Sequence, residues 1–406
     1  MVETFQIGFL YGRDSSESNF GAGGGIRTHG GLRHRILIPG IPCKDPVRPL
    51  CPGSGTPASG YLYSMILKAF PYSITMKSAK LKDLGERKVI EHLLSLAYRD
   101  PSEIMGYDDI SLVRLEEDLY LALKVDSMSF SADIPRTMDY QSVGWKLVTM
   151  VVSDFAAKGV APLGILISLT APANSLLEEI EEIYRGIREA CEHYKVYLWG
   201  GDIGEGLELV LSCFGVGITK SHRIPTRSGA RVGDLVFTTG YFGLTTLAYL
   251  MLLEGVEIRD SKARDLAIKA LFRPVARLRE GLALVRRGVV NASIDSSDGL
   301  SESLHEIASR SKVKIVVEKI PIHTEVKRIL IDLNLDPVYE TLYHGGEEYE
   351  IVFTVPKEKI LLLRKLESEL NSKFLYIGRV EKGSGVVLLR EGREERVERR
   401  GWEHFK

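Results

Sequence analysis

Two aspartates and two serines follow an apolar run in the second half of the chain, in the segment Ile294-Asp295-Ser296-Ser297-Asp298-Gly299-Leu300. The apolar run predicts a strand, and the pattern after Gly299 predicts a helix. A helix N-terminus attracts an anion, but two carboxylates repel an anion unless a cation lies between them. A phosphate group with Mg²⁺ resolves this conflict. The alternative is that Ser297 or Asp298 only caps a helix predicted from Glu302 to Ser309.

Other acidic residues lie at the ends of apolar runs or inside them, where an unpaired charge is costly. Few basic residues lie beside them in the sequence, and histidine and cysteine do not accompany them. Oxygen ligands without nitrogen or sulfur favour Mg²⁺ over zinc. The residues with this placement are Asp109, Asp126, Asp154, Asp202, Asp295, Asp298 and Glu347.

Most of these residues also fit a purely structural interpretation. Asp108-Asp109 fits a solvated turn, Asp126 a cap, Asp202 an Asx turn and Glu347-Glu348 an exposed hairpin end. Arg227 fits either a surface arginine or a guanidinium that binds a phosphate with two hydrogen bonds. Asp154 is different, because its helix neighbours are apolar and its charge needs a partner. The joint occurrence of these residues favours a shared site.

The composition of the whole chain excludes several classes of protein. With 53 basic and 54 acidic residues in 406, the net charge of −1 argues against a nucleic-acid-binding surface. The longest apolar region, from Leu147 to Leu169, is interrupted by Asp154 and Lys158, so we predict no membrane span. Four cysteines without paired spacing indicate free thiols and a cytoplasmic location.

Residues 1–75 differ from the rest of the chain, because glycine and proline are dense and no helical or strand period is sustained. We predict a disordered leader. Its glycines, Gly21 to Gly25, lack the Gly-Lys-Ser/Thr that a phosphate loop needs. The stretch from Gly25 to Pro42 looks like translated transfer-RNA sequence, so we expect the native start at Met76, with Met65 as the alternative.

Beyond the leader, strands and helices are interspersed, which predicts a mixed α/β (α+β) fold in two halves, 76–220 and 221–406. The predicted helices are Leu81 to Ala97, Ser142 to Lys158, Leu176 to Tyr194, Leu244 to Leu253, Lys262 to Leu271, Ala276 to Arg287 and Lys357 to Leu370. The predicted strands are Leu119 to Val125, Val196 to Leu198, Leu207 to Ile218, Leu235 to Thr238, Ile315 to Val317, Tyr349 to Val355, Leu375 to Val380 and Val386 to Arg390.

Several short motifs, taken in order, resemble the thiamine-monophosphate kinase family of the aminoimidazole-ribonucleotide-synthetase-like ATP-binding superfamily. The resemblance spans about Lys80 to Lys406. The motifs are Tyr107-Asp108-Asp109, Val125-Asp126-Ser127, Ser153-Asp154-Phe155-Ala156-Ala157-Lys158-Gly159, Gly200-Gly201-Asp202, Thr226-Arg227-Ser228-Gly229-Ala230, Phe272-Arg273-Pro274, Asp295-Ser296-Ser297-Asp298-Gly299-Leu300, Gly345-Gly346-Glu347-Glu348-Tyr349-Glu350 and Gly401-Trp402-Glu403-His404-Phe405.

The resemblance implies a homodimer formed through the sheet of the N-terminal half, a C-terminal half with a mixed sheet flanked by helices, and transfer of the ATP γ-phosphoryl group to thiamine monophosphate. It implies several Mg²⁺ ions held by Asp109, Asp126, Asp154, Asp202, Asp295 and Asp298. It assigns ATP contacts to Arg227, Ser297 and Gly201, and substrate contacts to Glu347, Trp402 and Asp133. Because the acceptor is an ionised phosphate oxygen, no general base is expected.

The sequence departs from the family pattern in four segments. Lys124 and Val125 stand where hydroxyl residues usually precede Asp126, and the lysine is a candidate to contact phosphate directly. Ser131-Ala132-Asp133 lacks the usual histidine, Tyr107 replaces a glycine, and Ser296 replaces an apolar residue.

Related activities are less consistent with the sequence. A selenophosphate synthetase would carry a reactive cysteine near its glycine-rich segment, and a hydrogenase-maturation dehydratase would end in cysteine. An aminoimidazole-ribonucleotide-synthetase-like enzyme and a non-catalytic scaffold dimer that binds divalent ions stay as alternatives.

Overall fold

The computed structural model describes residues 79–220 and 223–405. The predicted leader, its glycine run, Cys43, Cys51 and the expected start at Met76 lie outside these residues. Cys191 and Cys213 are buried free thiols. Burial raises the pKa of the Cys191 thiol to about 11, so this cysteine is an unreactive part of the core.

The first half contains one five-stranded sheet in the order β1-β2-β5-β3-β4. β3 and β4 run parallel, and the other neighbours are antiparallel. Its strands are β1 (Ser111–Glu116), β2 (Leu119–Ser129), β3 (Pro162–Ala171), β4 (Tyr197–Glu205) and β5 (Val210–Thr219); its helices are α1 (Leu81–Leu84), α2 (Glu86–Leu96), α3 (Tyr140–Ala157) and α4 (Leu177–Tyr194).

One face of this sheet is buried and the other is open. Buried and accessible residues alternate along β5, as expected for a strand covered on one face. The α3 helix supplies the cover, and it is buried almost all round because it packs on α4 and on the sheet. At the edge, all nine residues of β4 are exposed.

The second half contains a seven-stranded sheet in the order β12-β11-β8-β10-β6-β9-β7. Only β8 and β11 pair in parallel among these described strands. The strands are β6 (Leu235–Thr238), β7 (Ala292–Asp295), β8 (Lys314–Val317), β9 (Ile351–Val355), β10 (Leu375–Glu381), β11 (Gly385–Arg390) and β12 (Arg393–Arg396); the helices are α5 (Leu244–Leu252), α6 (Ser261–Phe272), α7 (Leu278–Arg286), α8 (Leu300–Ser311), α9 (Thr324–Asp332), α10 (Pro337–Tyr343) and α11 (Ile360–Leu370), with a 3₁₀ turn at Lys357–Lys359.

The C-terminal end of α3 is joined to β7 of the other sheet by side-chain hydrogen bonds. Ser153 Oγ donates to Asp295 Oδ2 at 2.8 Å, and Ser293 Oγ donates to the Ala157 carbonyl at 2.6 Å. Lys158 Nζ donates to the Ser293 carbonyl at 2.7 Å. The acidic residues of α3 and β7 are therefore held at a fixed separation.

The mixed α/β prediction is confirmed, but several element boundaries were wrong. The predicted helix from Leu81 to Ala97 breaks at Gly85. Gly200-Gly201-Asp202 lies inside β4, beyond the end of the strand predicted from Val196 to Leu198. The sequence interpretation missed β1, β3, α9, α10 and β12. The division at residue 220 stays a prediction.

Between residues 79 and 405, excluding 221 and 222, we find no helix long and apolar enough to span a bilayer.

Candidate active site

Three of the six predicted metal ligands converge in the interior. Asp109 precedes β1, Asp154 lies on α3 and Asp295 ends β7, so three separate elements supply the cluster. One carboxylate oxygen of each residue lies within 4.8 Å of the others, and all three residues are buried. Such an all-oxygen donor set fits Mg²⁺. We call these residues the three-aspartate cluster.

The electrostatics of this cluster favour a bound cation. Burial and the nearby Asp109 raise the pKa of Asp295 to about 6. Burial also raises the pKa of Asp154 well above its ordinary value, although Lys124 opposes this effect. Burial would likewise raise the pKa of Asp109, but Arg227 and Lys158 lower it below its ordinary value. Two of the three carboxylates therefore lack enough positive charge nearby, which a divalent ion would supply.

Two lysines pair with acidic residues around the cluster. Lys158 Nζ lies 2.5 Å from Asp108 Oδ1 and 3.0 Å from Asp109 Oδ2. Lys124 Nζ lies 3.2 Å from Asp126 Oδ1 and 3.1 Å from Asp154 Oδ2. Lys124 and Asp126 are close in sequence, whereas the fold brings Asp154 to Lys124 and brings Asp108 and Asp109 to Lys158.

Arg227 also contacts the paired aspartates. Its Nε donates to Asp109 Oδ1 at 2.6 Å, and its backbone N–H donates to Asp108 Oδ2 at 2.9 Å. Its Nη1 also contacts Glu306 at 3.3 Å. The alternatives of a surface arginine and a solvated Asp108-Asp109 turn are wrong, because these side chains are largely buried.

The loop between β7 and α8 contains Ser297 and Asp298. Gly299 is the N-cap residue of α8, and neither preceding side chain caps the helix, so the capping alternative is wrong. Gly299 has φ +98° and lies so close to the Gly345 carbonyl that a side chain would collide with it. Burial, Asp295 and Glu302 raise the pKa of Asp298 to about 7.

A cavity of about 270 Å³ opens beside this loop. The helix α2 and the C-terminal segment meet there, and His404 N–H donates to Glu86 Oε2 at 3.1 Å. Trp402 N–H donates to the Asp298 carbonyl at 3.3 Å, while its ring is 57% exposed. The lining includes Tyr107, Arg227, Asp295, Ser297, Asp298 and Trp402. The predicted ATP contacts Arg227 and Ser297 therefore share one cavity with Trp402.

Glu347 lies in a separate polar network that reaches this loop. Its backbone N–H donates to the Ser297 carbonyl at 2.6 Å. Its carboxylate accepts from Lys146 Nζ at 2.7 Å and from the Tyr249 hydroxyl at 2.6 Å. The hairpin-end alternative is wrong, because Glu347 precedes β9 at φ +60° and the Glu348 Oε2 atom is buried.

Asp126, Asp202 and Asp133 are not members of the three-aspartate cluster. Asp126 lies within β2 and contacts Lys124, so the capping alternative is wrong. Asp202 lies within exposed β4, so the Asx-turn alternative is also wrong. Asp133 accepts the Ser129 N–H at 2.8 Å in the turn after β2.

Gly201 has a structural reason to be glycine. It pairs with Ile167 of β3, and a Cβ there would lie 1.8 Å from the Ile167 carbonyl oxygen. Its assignment as an ATP contact stays a prediction.

The sequence interpretation assigned no role to Lys146, Lys158, Tyr249 or Glu306. Lys146 and Lys158 are both buried, on or directly after an apolar helix. The sequence could have indicated both residues, because each is a lysine among the apolar residues of a predicted helix.

Family models agree with this architecture. The AIR synthase related protein N-terminal domain matches residues 107–219, and the C-terminal domain of the same family matches residues 231–390. The two-sheet fold and its acidic site thus define an AIR synthase-related protein.

Individual relatives are more specific. The chain is 38% identical to thiamine-monophosphate kinase of Pyrococcus horikoshii over 301 residues, which covers 74% of this chain and 90% of that protein. It is 33% identical to the enzyme of Aquifex aeolicus over 329 residues, which covers 80% of this chain and 100% of that protein. The chain belongs to the thiamine-monophosphate kinase family, and the resemblance inferred from its motifs is confirmed.

Solved structures agree with this classification. The structure of AaThiL complexed with AMPPCP and TMP matches with a TM-score of 0.70 and 33% identity, covering 81% of this chain and 99% of that one. The structure of a HypE–HypF complex matches with a TM-score of 0.62 at 20% identity, which shows the fold alone.

Proposed function

We propose that this protein transfers the γ-phosphoryl group of ATP to thiamine monophosphate, forming thiamine diphosphate. The observation that carries the proposal is the buried three-aspartate cluster beside a cavity lined by Arg227 and Ser297. Membership of a family whose relatives are named thiamine-monophosphate kinase supports the choice of acceptor.

The reaction joins two anionic phosphates, so charge repulsion and alignment limit its rate. Asp109, Asp154 and Asp295 would hold Mg²⁺, with Asp298, Asp126 and Asp202 as further proposed ligands. When bound, Mg²⁺ neutralises phosphate charge and aligns the reacting oxygens. The Arg227 guanidinium is held in place by Asp109, which orients it toward the cavity that would receive ATP.

The acceptor requires recognition but no deprotonation. Its attacking oxygen is already ionised, so the carboxylates need only bind cations and position phosphates. Glu347 is fixed by Lys146 and Tyr249, and it would contact the substrate from the side of the β9 loop. Trp402 and Asp133 are the other proposed substrate contacts.

We also propose a homodimer that forms through β4. This edge strand presents large apolar side chains to solvent, which is unusual for an unprotected sheet edge. The exposed residues are Tyr197, Leu198, Trp199 and Ile203. Asp202 lies on the same strand, so a second copy packed there would surround it.

The test is an ATP-dependent assay with thiamine monophosphate, thiamine and an aminoimidazole ribonucleotide precursor measured in parallel. We expect turnover with thiamine monophosphate alone, and loss of that turnover in Asp154→Asn. Asp265→Asn on the exposed surface of α6 is the matched control and should keep activity. Turnover with only the aminoimidazole precursor would contradict the acceptor assignment, and no turnover would favour the scaffold alternative.

A further inference from the structure

Lys124 occupies the position of a cation between two carboxylates of the site. Its Nζ is nearly equidistant from Asp126 on β2 and Asp154 on α3, at 3.2 and 3.1 Å. Its side chain is 22% exposed, and the Asp154 side chain is 7% exposed. An ammonium group in such surroundings is stable only when carboxylates pair with it. A metal ion bound at this point would need the same carboxylate oxygens.

Basic side chains compensate part of the negative charge around the site. Three of them contact four of the five neighbouring aspartates. Arg227 also contacts Glu306, whereas Lys124 lies between two aspartates. The aspartates are Asp108, Asp109, Asp126, Asp154 and Asp295, and the basic residues are Lys124, Lys158 and Arg227.

We propose that Lys124 is a built-in cation that replaces one divalent ion of the site. Asp126 and Asp154 Oδ2 hold its ammonium group, so this inference takes Asp126 out of the proposed magnesium ligands, and the three-aspartate cluster holds the metal. A second divalent ion between Asp126 and Asp154 is excluded by repulsion from the ammonium group and by competition for the same oxygens. This inference rests on the magnesium site of the proposed function, but not on the identity of the acceptor.

Lys158 acts differently, although it too contacts two aspartates. It is fully buried, and its third contact is the Ser293 carbonyl on β7 at 2.7 Å. Its three partners use the three N–H bonds of one ammonium group, so it ties Asp108 and Asp109 to the second sheet. Among the residues that the structure describes, Lys124 pairs with two carboxylates, which leaves one N–H of its ammonium group for a further oxygen.

The first test counts the Mn²⁺ ions bound by the metal-free full-length protein, by electron paramagnetic resonance titration with the metal alone. Lys124→Thr removes the ammonium group and adds an oxygen ligand, so it should bind one more Mn²⁺ than the wild type. Lys124→Arg keeps the positive charge and is the matched control, with an unchanged number. Equal Mn²⁺ numbers in folded Lys124→Thr and wild type would overturn the proposal.

The second test uses the wild type only, so it remains decisive if Lys124→Thr fails to fold. In crystals soaked with Mn²⁺, anomalous density should appear at the three-aspartate cluster and not between Asp126 and Asp154. Density between those two carboxylates would overturn the role of Lys124 while preserving the magnesium site. Binding of no Mn²⁺ at all would overturn both.

Discussion

Asp298 differs from the other acidic residues because it lies on the loop at the cavity, outside the three-aspartate cluster. Asp298→Asn keeps the shape of the side chain but removes a negative charge that a metal–phosphate complex needs. We expect kcat to fall by roughly 100-fold or more. The melting temperature should change little, because the backbone bond to Trp402 is kept. Steady-state kinetics test this, and near-normal turnover would remove Asp298 from the metal site.

The raised pKa values predict a pH dependence of magnesium binding. Asp298 titrates at about 7 and Asp295 at about 6, because both carboxyls are buried beside other acids. The folded, metal-free protein therefore holds protons that the unfolded chain releases near pH 4. This contribution to stability is present at low pH and is lost as the pH rises through 6 and 7. Mg²⁺ replaces those protons, so it should bind more tightly at pH 8 than at pH 6.

Isothermal titration calorimetry at pH 6, 7 and 8 measures this effect. The apparent magnesium affinity should increase with pH by about tenfold for each proton displaced per pH unit. In Asp298→Asn the dependence between pH 6 and 7 should be weaker, because the carboxyl whose pKa is about 7 is gone. Equal affinities at pH 6 and pH 8 in the wild type would contradict the prediction.

Among single residues, the sequence predicted the acidic groups better than their partners. An aspartate inside an apolar helix, such as Asp154, needs a partner wherever the chain folds, so its importance can be inferred locally. The identity of the partner cannot be inferred locally, because it depends on the fold. Lys158 follows Asp154 at helical i,i+4 spacing, yet its ammonium group contacts Asp108 and Asp109, which are brought close only by the fold.

At the scale of elements, long periodic segments were predicted almost to the residue. The helix expected from Ser142 to Lys158 is found at Tyr140–Ala157. Strand β3 was missed and strand β4 was predicted too short, because these two strands pair in parallel and each depends on a neighbour distant in sequence. The apolar residues of β4 did not help to predict its length either, because all nine residues of this strand are exposed.

The exposed edge strand β4 gives a prediction for association. Ile203 is 72% exposed, and a charge placed there would oppose burial against a second copy. We expect Ile203→Asp to convert the dimer to a monomer in sedimentation velocity. Leu361→Asp is the matched control. Leu361 is also an exposed apolar residue, at 85%, but it lies on α11 in the second half of the chain and not on β4. A monomeric wild type, or a variant that stays dimeric, would contradict the role of β4.

The C-terminal segment gives a second prediction at this scale. Its residue Trp402 lines the cavity and is anchored to the active-site loop through the Asp298 carbonyl. Trp402→Ala removes a large aromatic surface but keeps this backbone bond. We expect the KM for thiamine monophosphate to rise roughly tenfold, which is about the binding free energy of one aromatic contact. The KM for ATP should change little. Loss of ATP affinity alone would instead assign the ring to the nucleotide.

At the scale of the whole molecule, the site is formed by residues from elements of both sheets. Asp109 and Asp154 come from the part of the chain that builds the first sheet, and Asp295 comes from the second. Arg227 lies in the connection between them and contacts both Asp109 and Glu306 of α8. The sequence could place these residues at element ends, but their convergence depends on how α3 packs against β7.

A ligand that bridges both sheets should therefore stabilise them together. ATP with Mg²⁺ at 100 times its dissociation constant would add about 2.7 kcal/mol to the free energy of unfolding, or about 5 °C in melting temperature. Differential scanning calorimetry should show one transition that moves as a whole. ATP without Mg²⁺ should give little shift, because the carboxylates would repel its phosphates. Two transitions, with only one responding to ATP and Mg²⁺, would show that the ligand contacts one sheet alone.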